Sequence, residues 1–83
     1  MDDKFWIRNY EVENKIAELR KEMGLTQEEL ADILGYSIYC LSAIERGAAY
    51  PTIRSAYIFC KFFNKRLDEV FILKKIGEKQ WFQ

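Results

Sequence analysis

Histidine is missing from the 83-residue chain, and cysteine occurs only at Cys40 and Cys60, outside any CxxC pair. A structural zinc site draws about four ligands from these residue types, so no metal is expected. Two separated cysteines fit free thiols in a reducing compartment better than a disulfide. Without histidine, general acid–base chemistry would rest on a tuned carboxylate or lysine. Every Asp and Glu falls at a cap or on the exposed face of a helical pattern. No glycine-rich phosphate loop or nucleophile elbow is present. The expectation is a protein that is not an enzyme and takes no cofactor. Met1–Tyr10 carries charges and no apolar run, so no leader peptide is expected. No stretch approaches the roughly 20 apolar residues of a membrane span. A soluble cytoplasmic protein without membrane contact is the default.

Net charge is absent too: 13 basic and 13 acidic residues cancel. A nucleic-acid binder usually shows a basic face, and here one can come only from uneven placement. Between Gly24 and Ser55, Arg46 and Arg54 stand against Glu28, Glu29, Asp32 and Glu45. The positive excess lies between Ala56 and Gln83, in Lys61, Lys65, Arg66, Lys74, Lys75 and Lys79. A solvated basic surface is the simplest account of those side chains.

What the chain does have is punctuation. Gly24, Gly35, Gly47 and Asn64 each follow a short helical pattern, and such residues tolerate the left-handed conformation that closes a helix. Thr26, Ser37 and Thr52 precede the next patterns as N-caps. The reading is five helices: Val12–Met23, Gln27–Leu34, Ile38–Arg46, Ile53–Phe63 and Leu67–Leu73. Val12, Ile16, Leu19 and Met23 form one face of the first. Thr26 and Glu29 make a capping box for the second, with Leu25 and Leu30 as its hydrophobic staple. Tyr36 and Leu41 repeat the staple on the third. The core face of the fourth reads as Ile53, Ala56, Tyr57, Cys60 and Phe63. The aromatic ends read as short strands or as irregular segments packed on the bundle. The fold class is all-α: one domain over 1–83, with a core over 14–73 and extensions at 1–11 and 74–83.

The second and third helices are joined by Leu34-Gly35-Tyr36-Ser37, a short glycine-containing turn, which is the helix-turn-helix arrangement. In order, "GLTQEELA", "LGYS", "LSAIERG" and "LDEVF" closely resemble the lambda repressor and Cro-like (XRE-type) helix-turn-helix family, over roughly Asn14–Leu73. The resemblance implies a five-helix domain that binds operator DNA, usually as a homodimer, as a sequence-specific transcriptional regulator. It implies structural or backbone-positioning roles for Glu45 and Arg46, and a phosphate contact for Gln27.

Base-side candidates are the outward residues of the third helix: Ile38, Tyr39, Cys40, Ser42 and Ala43. Phosphate candidates are Gln27, Arg46, Tyr50 and Arg54. The family usually places polar or basic residues where Ile38, Tyr39 and Cys40 stand. Two readings follow. Ile38 and Tyr39 touch thymine methyls and phosphates of double-stranded DNA, or the apolar tip receives a protein partner, such as a regulator that this chain antagonises. On the fourth helix Ile58 and Phe62 form a second stripe. Either the terminal aromatics cover it, or it joins Trp81 and Phe82 in a dimer or partner surface.

Overall fold

The computed structural model describes residues 5–76. A 3-10 turn over Trp6–Asn9 leads into strand β1 (Tyr10–Asn14), followed by helices α1 (Ile16–Glu22), α2 (Gln27–Leu34), α3 (Ile38–Glu45), α4 (Ile53–Phe63) and α5 (Leu67–Val70), and strand β2 (Phe71–Lys75). Each of the five helices contributes one side chain with no exposed surface: Ile16, Leu30, Leu41, Phe59 and Val70. Ala31, Ile44, Cys60 and Phe63 complete the core, and Tyr36 leans its ring on Phe59.

The caps set the helix ends. Thr26 Oγ1 accepts from the Glu29 amide while Glu29 Oε1 accepts from the Thr26 amide, closing the capping box. Ser37 Oγ accepts from the Cys40 amide at 3.0 Å and starts α3. Thr52 Oγ1 accepts from the Ser55 amide and starts α4. Gly35 closes α2 at φ 77°, a left-handed conformation that costs a side-chain-bearing residue steric energy. The reversal between the two helices therefore depends on it.

Four expectations need correction. The fold is not purely all-α, because β1 and β2 pair antiparallel in the register Tyr10↔Lys75, Val12↔Leu73 and Asn14↔Phe71. Val12 is accordingly a strand residue, and α1 begins at Ile16 rather than at Val12. The alternation Tyr-Glu-Val-Glu-Asn has the period of a strand. Asn14 ends it: its Oδ1 accepts from the Ile16 amide, and its Nδ2 donates to the Ile44 carbonyl at 2.8 Å. Likewise α5 stops at Val70, because Phe71–Leu73 are taken into β2.

The fourth correction concerns α4. Phe59, Cys60 and Phe63 are buried, whereas Ile53 is 77% and Tyr57 63% exposed. At about 100° per residue, Ile53 and Tyr57 point at least about a quarter turn away from the face centred on Phe59 and Phe63. Burying Phe59 in place of Tyr57 hides a ring without stranding a hydroxyl that would need a partner. Phe59→Ala should therefore lower unfolding free energy by about 3–5 kcal/mol. Tyr57→Ala should stay within about 0.5 kcal/mol of the parent. Urea unfolding of both variants measures the difference, and equal losses would contradict this core.

Candidate nucleic-acid interface

The α2–α3 unit is locked from behind by one polar network. Arg20, at the fourth position after Ile16, points inward from α1. Its Nε donates to Glu45 Oε2 at 2.8 Å and its Nη2 to Glu45 Oε1 at 3.1 Å. Its Nη1 donates to the Leu25 carbonyl at 2.8 Å, in the turn that leads to α2. Gln27 Nε2 then donates to the same Glu45 Oε1 at 3.0 Å. Both charged side chains are at least nine-tenths buried. The fork-to-fork geometry satisfies the carboxylate on both oxygens, as a buried pair requires. Asn14 adds a second tie from β1 to the carbonyl of Ile44.

The network decides what α3 can show outside. Glu45, the only charged residue of that helix, is turned inward. Tyr39 is 84% exposed and Ile38 38%, with Cys40 exposed beside them at the helix start. Ser42 and Ala43, one turn further on, are half-buried. The five base-side candidates thus lie together along α3. Of the phosphate candidates, Arg46, Tyr50 and Arg54 are exposed, and Arg46 shares a depression of about 360 Å³ with Tyr50, Gly47, Glu11 and Glu13. Neither arginine has an ion-pair partner among the described residues. Gln27 is placed differently: it is half-buried and its amide serves Glu45.

Ile58 and Phe62 are half-buried, and Phe62 packs edge-on against Phe63 at 5.2 Å between ring centroids. Trp81 and Phe82 lie outside the described residues. A different apolar surface is open among the described residues. Val12, Leu67 and Leu73 are exposed around a depression of about 500 Å³, rimmed by Arg66 and Asp68. Sequence reasoning missed this patch because it joins a strand, a helix start and a second strand. It also passed over Arg20. The signal was present in the spacing, since Arg20 follows Ile16 and Glu45 follows Leu41 by one helical turn.

The two thiols differ as their surroundings dictate. Burial pushes the Cys60 thiol up, which keeps it protonated and unreactive. On the exposed strands, the hydrogen bond from Lys74 Nζ to Glu13 at 2.9 Å raises the lysine above its ordinary range.

Residues 16–70 match the helix-turn-helix family model. A Bacillus subtilis protein named as an uncharacterised HTH-type transcriptional regulator, YgzD, is 34% identical over 77% of this chain and 97% of its own. A similarly named Methanocaldococcus jannaschii protein is 38% identical over 74% of this chain and 92% of its own. The HTH-type transcriptional activator BcrR of Enterococcus faecalis is 38% identical over 72% of this chain but only 29% of its own length. In fold, a crystal structure of a candidate DNA-binding protein from Bacteroides fragilis superposes with a TM-score of 0.66. It covers 74% of this chain and 98% of the other, at 18% identity.

Two outcomes test the interface. Glu45→Ala leaves the Arg20 guanidinium buried without its carboxylate and should cost about 3–5 kcal/mol in thermal or urea unfolding. At pH 8, iodoacetamide should label Cys40 of the native protein and spare Cys60; mass spectrometry of the peptides reads the order, and faster labelling of Cys60 would contradict the packing.

Proposed function

The chain belongs to the XRE-type helix-turn-helix family of DNA-binding transcription regulators, and on that premise we propose how it holds its operator. Helix α3 lies in the major groove with α2 crossing the backbone, the docking of this motif. Ile38, Tyr39, Cys40, Ser42 and Ala43 face the bases. Arg46, Arg54 and the Tyr50 hydroxyl hold phosphates, which fix register without reading sequence. Gln27 acts at one remove, by holding Glu45 and through it the pose of α3. The observation that carries this reading is the exposed outer face of α3, whose C-terminal end is tied to α1 by the Arg20–Glu45 pair.

The operator-binding species is a homodimer. Two copies meet on the Val12, Leu67 and Leu73 surface. A two-fold contact needs a self-complementary patch. Arg66 and Asp68 on the rim form an exposed ion pair within one protomer, at 3.2 Å, and exchanging it across the two-fold, Arg66 of one copy with Asp68 of the other, meets that need. Dimers of this motif bind half-sites about 34 Å apart, one turn of the duplex.

The exposed apolar tip also supports a second reading, a protein-interaction module on the same fold that binds another regulator. Fluorescence anisotropy on random duplex DNA across a salt series separates the two. Two unpaired arginines per protomer predict a slope of log K against log[salt] of about −2 per protomer, or about −4 for a dimer. No complex at low salt would leave the protein-interaction reading. For the dimer, light scattering should give twice the protomer mass for the parent and a monomer for Leu73→Asp; a monomeric parent would reject the dimer.

A further inference from the structure

The side chains through which proteins most often read base edges are missing from the outer face of α3. Specific readout in the major groove runs through Arg or Lys on guanine, Asn or Gln on adenine, and carboxylates on cytosine. The eight residues Ile38–Glu45 include none of these except Glu45. That carboxylate is spent on Arg20 and Gln27, on the inner side. The Nε2 group of Gln27 donates into the same network, to Glu45 Oε1. What remains outside is Ile38 and the strongly exposed Tyr39 at the tip, then half-buried Ser42 and Ala43 one turn on. A serine hydroxyl donates or accepts as required and so discriminates poorly between bases.

An aliphatic side chain pressed into the groove still discriminates. The one apolar group that a standard base pair presents there is the C5-methyl of thymine. Guanine offers two acceptors in the same place, and covering them with an isoleucine would strip their water without replacing it. The small residues at 42 and 43 leave room for the helix to approach closely. Cys40 Sγ, exposed beside the tip, adds a further weakly polar surface.

We infer that α3 selects its operator through thymine C5-methyl groups, with Ile38 and Tyr39 as the specificity-determining residues. The inference rests on the proposal that α3 enters the major groove. It names the chemical feature read there. The preferred half-site carries thymines under the first turn of α3 and tolerates exchange elsewhere.

The test is atom-specific. A duplex is first selected from a random pool, and each thymidine in it is then replaced by deoxyuridine. This removes one methyl and leaves every hydrogen-bonding group in place. For the parent protein, one or more positions per half-site should lose about fourfold in affinity, the value of a buried methyl-sized group. The same replacement should have no effect on Ile38→Ala or Tyr39→Ala, whichever covers that methyl. Circular dichroism of the variants establishes that they are folded. Binding to the selected duplex with a uridine scan flat to within twofold would overturn methyl reading and leave DNA binding standing. An uridine effect that persists in both variants would overturn the assignment to Ile38 and Tyr39. Absence of any DNA complex at low salt would overturn both this inference and the proposed function.

Discussion

One buried ion pair governs how this small domain presents itself. Arg20 and Glu45 are separated by 25 residues and joined by two charge-assisted hydrogen bonds. Burying two charges carries a desolvation penalty that the pair itself roughly offsets, so its contribution is geometry more than net stability. It holds the C-terminal end of α3 to α1. Through the Leu25 carbonyl and Gln27 it also holds the start of α2. The helix-turn-helix thus has a fixed back. The angle at which α3 leaves the domain follows from that anchor and from Asn14, which binds the Ile44 carbonyl beside it.

The same network explains the character of the outer face. It draws the one carboxylate of α3 and the amide of Gln27 inward, leaving Ile38, Tyr39 and Cys40 exposed. A surface of this kind makes few charge contacts. Arg46 and Arg54 supply the positive charge near α3, while Glu11 and Glu13 border the depression that Arg46 lines. Discrimination by apolar contact suits such a face, since affinity drawn from phosphates alone carries no sequence information.

The strand pair gives the domain a second consequence. By joining Tyr10–Asn14 to Phe71–Lys75, it ties the segments before α1 and after α5 together. Lys15 extends the link, its amide donating to the Val70 carbonyl at 2.8 Å. Among the described residues the sheet has two strands, and part of its apolar surface is open. Val12 and Leu73, opposite one another in register, are the exposed part.

Local chemistry was legible in the residues alone. The caps at Thr26, Ser37 and Thr52, the left-handed stops at Gly35 and Asn64, and the turn between α2 and α3 are written in short-range patterns, because each involves groups within four residues. The spans of α2 and α4 follow from them, as do Leu30 and Leu41 in the core. Tertiary structure decided what local pattern leaves degenerate. Val12 fits a helical face with Ile16 and also the alternation of a strand; only pairing with Leu73, distant in sequence, selects the strand. Tyr57 and Phe59 are both aromatic, and the neighbours of α4 choose which ring is buried. Glu45 could face the groove or the core, and the guanidinium that turns it inward arrives from another helix. Periodicity names a face, but the partner that covers it is a three-dimensional fact.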